Sequence, residues 1–167
     1  MNTKFIVTFV LLLVITTGII VWLSSAQSQT PKAAEFNGTQ ATIYMGPTCG
    51  CCKNYASYLQ REGFDVETKV TDDMDSVKSQ NNIPKDLISC HTTIIGDYVV
   101  EGHIPVEAMV KLLKEKPEIR GIAMAGMPSG SPGMPGKKNS PFEIYKLTKE
   151  LAGQTQEDVE NELFMEY

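Results

Sequence analysis

The sequence has little that is typical of nucleic-acid-binding proteins or of common hydrolases. Its 15 lysines and arginines are spread along 167 residues, and the formal net charge at pH 7 is −5. Because these residues form no basic cluster, the chain lacks the positively charged surface that binds a phosphate backbone, and we do not expect DNA or RNA as partners. It also lacks a Ser-His-Asp arrangement, a pair of glycosidase-type carboxylates and internal repeats. The glycine-rich segment 121–136 opens no helix after a strand, so it matches no nucleotide-binding motif.

The N-terminal segment predicts export. Lys4 precedes an apolar run from Phe5 to Leu23, and the small residues Ser24 and Ala26 fit a signal-peptidase site. A run of roughly 19 apolar residues is also long enough to cross a bilayer as an uncleaved anchor. We therefore expect residues 1–26 to be a signal peptide or a signal anchor, and the polar residues 27–39 to be a linker. Both alternatives place the remaining chain in the periplasm or another extracytoplasmic space, where disulfides persist.

The hydrophobic pattern of residues 40–136 predicts one α/β domain. Strand-like and helical segments alternate in the order β-α-β-α-β-β-α: Ala41–Met45, Cys52–Glu62, Phe64–Val70, about 73–81, His91–Ile95, Tyr98–Glu101 and Val106–Lys116. This order is the thioredoxin-like layout, an α/β sandwich in which reactive cysteines follow the first strand. Residues 137–167 form a C-terminal extension, in which "PFEIYKL" predicts an edge strand and the residues from about Thr155 predict a helix.

The cysteines define the candidate site. Cys49, Cys51 and Cys52 lie at the predicted start of the first helix, where the helix dipole lowers thiol pKa values. Cys90 precedes the third strand, at the position where the topology brings the chain next to the first cysteine loop. His91 is its neighbour, and the returning strand brings His103 to the same end of the sheet. We therefore expect four sulfurs and two imidazoles to converge.

Three kinds of chemistry are compatible with these cysteines. Cys49 and Cys52 have the C-x-x-C spacing of a dithiol oxidoreductase. Four cysteines in an exported protein can also form two structural disulfides, although adjacent Cys51 and Cys52 make this arrangement difficult. Thiolates with imidazoles can instead bind Cu(I), Zn(II) or an iron-sulfur cluster. Structural zinc usually takes two C-x-x-C-type pairs, whereas Cys90 stands alone, so bridging thiolates and Cu(I) are favoured.

Histidine and methionine extend the set of candidate metal ligands. His91 and His103 are the only histidines of the chain. Met127 and Met134 lie in the glycine- and proline-rich segment and not on an amphipathic helix face. Thioethers are soft ligands that need no deprotonation, which suits copper in an oxidising compartment. Packing against the core is the alternative role for these methionines.

Three ordered motifs, "TCGCCKNY", "SCHTTIIGDYVVEGHIP" and "GIAMAGMPSGSPGM", carry a family resemblance. The chain resembles the CopG-like family of periplasmic, thioredoxin-like proteins associated with bacterial copper resistance. The resemblance implies that Cys49, Cys51, Cys52 and Cys90 bind a multinuclear copper cluster with redox activity. It matches His91, His103, Met127 and Met134 to family motif positions. The sequence departs from the family pattern at "AMAGMP", where Met124 adds another soft side chain.

The sequence therefore predicts a copper-binding protein that holds Cu(I) in a multi-cysteine cluster. Such a protein serves copper resistance and homeostasis by sequestering copper or by cycling its oxidation state, as a copper oxidoreductase does. Its expected partners are copper ions and other exported copper-handling proteins, with membrane contact only through an uncleaved N-terminal segment. The alternative is an exported thiol-disulfide oxidoreductase that uses Cys49 and Cys52.

Overall fold

A single mixed sheet organises the protein. The computed structural model describes residues 34–148 and 163–167, and within these ranges seven strands pair in the order β2-β1-β3-β4-β5-β6-β7. β1 runs parallel to β2 and β4 runs parallel to β5, whereas the other neighbouring strands are antiparallel. The strands are β1 (Gln40–Met45), β2 (Asp65–Val70), β3 (His91–Ile95), β4 (Tyr98–Glu101), β5 (Gly121–Ala123), β6 (Glu143–Leu147) and β7 (Leu163–Glu166).

Three α-helices accompany the sheet in the described residues: α1 (Gly50–Arg61), α2 (Met74–Gln80) and α3 (Val106–Glu115). Side chains cap the first two helices, because the Cys52 amide donates to the Cys49 sulfur and the Ser76 amide donates to the Asp73 carboxylate. Short 3₁₀ turns occupy Ala34–Phe36 and Lys85–Leu87. None of the helices in the described ranges has the length and hydrophobicity needed to cross a membrane.

The hydrophobic core lies between the sheet and the longer helices. Tyr55 and Leu59 of α1 are fully buried, as are Met109 and Leu112 of α3. These residues follow the three- and four-residue spacing of one helix face and belong to the same core cluster as Ile43 of β1. Burying a large apolar side chain contributes about 1.5–3 kcal/mol each, so this face fixes both helices on the sheet.

The observed order from β1 to α3 is the predicted β-α-β-α-β-β-α order. The bounds predicted for β3 and β4 agree with the structure, and α1 begins two residues earlier than predicted, at Gly50, because Cys49 caps it. Prediction missed β5 and β7. The strand predicted in "PFEIYKL" is confirmed as β6, but its predicted position at the edge of the sheet is wrong, because β6 pairs with β5 on one side and with β7 on the other.

The C-terminal residues that we treated as an extension contribute to the same sheet. Phe142 and Tyr167 exchange backbone hydrogen bonds of 2.7 and 3.0 Å, and the Tyr167 hydroxyl donates to Glu107 of α3. The predicted signal peptide or anchor at 1–26 lies outside the described residues, as does the part of the predicted C-terminal helix from Thr155 to residue 162. The end of that prediction is wrong, because Leu163–Glu166 form strand β7 and not a helix.

Candidate metal centre

Three chain segments meet at one end of the sheet. Cys49, Cys51 and Cys52 follow β1, Cys90 and His91 begin β3, and His103 follows β4. The antiparallel pairing of β1 with β3 places Met45 opposite His91, which brings the cysteine loop next to the start of β3. The pairing of β3 with β4 places Thr92 opposite Glu101, so His103 emerges at the same end.

The four cysteine sulfurs form a tight group. Cys49 and Cys52 are joined by a disulfide, whereas Cys51 and Cys90 are free. The Cys51 sulfur lies 3.4 Å from the Cys49 sulfur and 3.8 Å from the Cys90 sulfur. The Cys90 sulfur lies 3.6 Å from the Cys52 sulfur. The arrangement differs from the alternative of two structural disulfides, because half of the thiols stay reduced.

Cys90 occupies the centre of the site. All four cysteine sulfurs lie within 4.8 Å of one another, and Cys90, His91 and His103 form a second group with the same closeness. Cys90 belongs to both groups and is therefore placed to bridge two ligand sets. Burial, followed by the neighbouring Cys51, raises the pKa of the Cys90 thiol to about 12. A soft cation bound at this position would displace the proton, since the thiolate is the metal ligand.

Hydrogen bonding fixes the His103 tautomer. Its Nδ1 lies 2.7 Å from the carbonyl oxygen of Pro132, which can only accept, so Nδ1 carries the proton. Nε2 of the neutral ring then presents its lone pair to the Cys90 sulfur, 3.0 Å away. Burial lowers the pKa of His103, which favours this neutral form. A carbonyl bond to the remote nitrogen is the usual way in which proteins orient a metal-binding histidine.

His91 is fully buried beside the same sulfur. Its Nδ1 lies 3.3 Å from the Cys90 sulfur, and its Nε2 has no hydrogen-bond partner among the described residues. Burial, then the nearby His103 and Lys78, lower its pKa well below the usual value. The Tyr55 ring packs against the His91 ring with centroids 4.5 Å apart, and the two histidine rings meet edge to face at 4.7 Å. His91 is therefore a neutral imidazole whose Nε2 makes no hydrogen bond within the described residues.

The methionine-rich segment passes over the start of α1. Gly133 has φ +82°, and a Cβ there would lie 2.8 Å from the Tyr55 nitrogen and 2.9 Å from the Cys51 carbonyl, so only glycine allows this approach. Met134 lines a cavity of about 460 Å³ with residues of α1 such as Asn54 and Tyr58. Met127 is 52% exposed, whereas Met124 is buried. These methionines therefore belong to the segment that covers the start of α1.

Sequence reasoning missed several groups that shape the site. The Pro132 carbonyl orients His103, the Tyr55 ring supports both histidines, and Lys78 and Glu101 form a buried ion pair behind them. A charged residue directly before Gly102 and His103 on an otherwise apolar strand was an available signal for Glu101. Lys78 gave no local signal, because its pairing depends on tertiary structure.

Comparisons with known proteins identify chains similar to this one. A family model described as a protein of unknown function, DUF411, matches residues 87–134, the stretch from Leu87 to Met134. No curated protein matches the chain. Two solved structures are similar, described as copper resistance protein CopG, form 1 and form 2. Both are 35% identical to this chain over 78% of its length, with TM-scores of 0.66 and 0.67, and the match covers 98% and 99% of their chains.

Proposed function

Because the chain belongs to the CopG family of copper resistance proteins, we propose that it binds Cu(I) in a cluster of cysteine thiolates and thereby limits copper toxicity. The single observation that carries this proposal is the convergence of four sulfurs and two imidazoles at one end of the sheet. Soft thiolates and neutral imidazoles select Cu(I) over hard cations. Copper is here the cargo of the protein, bound and released and not consumed.

The proposed ligands have distinct roles. Cys49, Cys51, Cys52 and Cys90 bind and bridge copper, and Cys90 connects the sulfur group to the imidazoles of His91 and His103. The N-terminus of α1 favours the thiolate form of its cysteines, because the helix dipole places partial positive charge there. Met127 and Met134 are further proposed ligands, which the soft chemistry of thioethers supports.

Copper loading requires reduction of the Cys49–Cys52 disulfide. The step consumes two electrons and two protons, which a dithiol reductant supplies as it becomes a disulfide itself. The two thiols then lose their protons to solvent as Cu(I) binds. The oxidised site keeps only Cys51 and Cys90 as free thiols. The redox state of this one pair therefore controls how many thiolates are available.

The fold and location belong to the same proposal. The β2-β1-β3-β4 order, with parallel β1 and β2, supports a thioredoxin-like domain. An extracytoplasmic location, reached through a signal peptide or anchor at 1–26, is supported by the disulfide, since cytosolic thiols are kept reduced. As part of this proposal, residues 27–39 are a linker, and the metal-binding domain predicted at 40–136 also includes strands β6 and β7 of the C-terminal segment 137–167, which belong to the same sheet.

The second candidate function is thiol-disulfide oxidoreductase activity. The Cys49–Cys52 disulfide at the start of α1 favours it, because this is the usual position of a redox-active C-x-x-C pair. Activity of this kind needs only these two cysteines and is indifferent to Cys90. Copper redox cycling, as in a copper oxidoreductase, depends on Cys90 as much as on Cys51.

A Cu(I) titration tests the proposal. The reduced protein is titrated without oxygen against a competing Cu(I) chelator, next to a Cys90→Ser variant and an exposed-surface control, Ser57→Ala. We expect several tightly bound Cu(I) ions in the parent and in the control, and loss of most of them in Cys90→Ser. Weak binding by the parent, or an unchanged Cys90→Ser variant, would contradict the copper cluster and favour the dithiol function.

A further inference from the structure

A buried ion pair lies directly behind the candidate ligands. Lys78 of α2 and Glu101 at the end of β4 expose 7% and 0% of their side chains, and Nζ lies 2.5 Å from Oε1. Lysine and glutamate are almost never this buried unless paired. Apolar side chains of similar volume usually give comparable stability at such a position. Stability alone is therefore a weak reason for these two residues.

The Glu101 carboxylate holds both sides of the segment that carries Cys90 and His91. Oε1 also accepts from the Ser89 amide at 2.8 Å, and Oε2 accepts from the Thr92 hydroxyl at 2.6 Å. Ser89 directly precedes Cys90, and Thr92 directly follows His91. One carboxylate thus fixes the start of β3 on either side of two candidate ligands.

The same residue is connected to His103 through the backbone. Gly102, with φ +84°, follows Glu101, and its amide donates to the His91 carbonyl at 3.0 Å. A Cβ on Gly102 would lie 2.8 Å from the Ser89 Cβ, so the end of β4 and the start of β3 are pressed together. The 3.0 Å separation of Cys90 Sγ from His103 Nε2 depends on how these two segments are held.

We propose that Glu101, anchored by Lys78, is a positioning residue that fixes Cys90, His91 and His103 relative to one another. Glu101 is not one of the candidate metal ligands. It acts through its hydrogen bonds with Ser89 and Thr92 and through its position directly before Gly102. The Lys78 ammonium compensates the buried charge of the Glu101 carboxylate. Its Nζ also lies 3.4 Å from the Thr92 hydroxyl, which connects α2 to the start of β3. For its effect on copper affinity, this inference rests on the proposed function.

The test compares three double variants. Lys78→Met with Glu101→Leu removes the pair and its hydrogen bonds while keeping apolar volume, so we expect it to fold with a parent-like thermal midpoint. Lys78→Met with Glu101→Gln removes the charges but keeps an amide that can bond Ser89 and Thr92, and serves as the conservative rescue. Lys111→Met with Glu115→Leu removes an exposed pair and is the matched control.

The first readout needs no metal. The chain has only two histidines, so imidazole ¹⁵N NMR of the disulfide form gives one resolved set of signals for each ring. We expect shifted or doubled signals for both histidines in the Glu101→Leu variant and parent-like signals in the rescue and in the control. Parent-like signals in a folded Glu101→Leu variant would overturn the positioning role, because a merely structural pair leaves the imidazole tautomers unchanged.

The second readout is Cu(I) affinity of the reduced proteins. Removal of residues that orient ligands typically lowers metal affinity 10- to 100-fold, and we expect a loss of about this size in the Glu101→Leu variant alone. Unchanged affinity there would contradict the inference. If the parent itself fails to bind Cu(I), the proposed function fails, while the imidazole signals still decide the positioning role.

A single substitution tests the same proposal if the double variant does not fold. Thr92→Val removes the hydroxyl bonded to Oε2 and leaves the ion pair in place. We expect a smaller change of the His91 signals in the same direction. Parent-like imidazole signals in Thr92→Val, together with an unfolded Glu101→Leu variant, would overturn the proposal in favour of a purely structural pair.

Discussion

At the end of the sheet where β4 begins, Arg120 donates to the carbonyl oxygens of Thr148, Asn81 and Asn82 at 2.9, 2.6 and 3.0 Å. At the other end, where β4 finishes, the polar groups mostly face one another as sulfurs and imidazoles, and Nε2 of His91 has no hydrogen-bond partner among the described residues. The first end directs its donors at the backbone. At the second end, sulfur and nitrogen atoms that face one another are available to bind a metal ion.

The residues that stabilise the fold and the candidate metal ligands therefore lie at opposite ends of the sheet. Arg120 connects the loop after α2 to the residue that follows β6 through hydrogen bonds to backbone carbonyls. The cysteines and histidines are held by the same strands at their opposite ends. Substitutions at the two ends should therefore have different consequences, which three measurements can check.

The largest effect should come from Arg120→Met. A buried hydrogen bond of a charged donor contributes about 1.5–3 kcal/mol, but only two of these three bonds are partly buried and the third is exposed. With the two partly buried bonds at the lower value, the substitution should lower the free energy of unfolding by about 3 kcal/mol. Urea denaturation of the metal-free protein measures this change. Cu(I) affinity of the folded fraction should stay at the parent value.

The matched control is Arg61→Met, which changes the only other arginine of the chain, an exposed residue of α1. We expect a change within about 0.5 kcal/mol for such a surface position. If Arg120→Met lowers Cu(I) affinity without lowering stability, the separation between the two ends does not hold.

A smaller effect, confined to the site, should follow from His103→Asn. The asparagine amide can replace Nδ1 as donor to the Pro132 carbonyl but provides nothing at the position of Nε2. We expect Cu(I) affinity to fall about 10- to 100-fold with little change in thermal midpoint. His103→Gln, whose longer amide reaches towards Cys90, is the comparison variant, and equal Cu(I) affinity of parent and His103→Asn would remove Nε2 from the ligand set.

Acid should also weaken the site end of the metal-free protein, by less than the loss expected for Arg120→Met. Burial first, then His103 and Lys78, hold the pKa of His91 well below its usual value, so the folded protein keeps this ring neutral while the unfolded chain takes up a proton. The stabilisation is present above about pH 6.5 and is lost as the pH falls, by up to about 1.4 kcal/mol per pH unit. Denaturation at pH 7, 6 and 5 measures this slope.

The His91→Phe variant is the control for acid. It keeps a ring against Tyr55 and removes the titrating group, so its stability should depend less steeply on pH. An identical slope in parent and variant would show that the loss of stability arises elsewhere in the protein.

Sequence patterns predicted the elements that carry strong local signals. The hairpin of β3 and β4 was bounded correctly because Gly96 and Asp97 separate two β-favouring runs. β5 was missed because it is only three residues long and lies in a glycine-rich segment. Its Gly121 is required by close contact with the Val99 backbone, a tertiary reason that no local pattern reveals. β7 likewise depends on pairing with β6.

The convergence of the cysteines and histidines could be predicted from the sequence, whereas the bonds among them could not. Convergence of the cysteine loop with Cys90 and the histidines follows from topology, and the structure brings these residues together. The C-x-x-C spacing offered Cys49 and Cys52 as one disulfide pair, but the sequence left two disulfides and a metal cluster open as alternatives. The His103 tautomer depends on the Pro132 carbonyl, which lies 29 residues away in sequence.

The solvent exposure of the candidate ligands differs across the site, which bears on how copper would be transferred to another protein. Cys49, Cys51 and Cys90 are partly exposed, whereas Cys52, His91 and His103 are buried. On the proposed function, a donor or acceptor protein can reach only the outer sulfurs. On the same proposal, transfer would proceed by ligand exchange, in which an incoming thiolate displaces an outer sulfur while the inner ligands remain bound to the ion. Copper would then stay bound to protein ligands throughout the transfer.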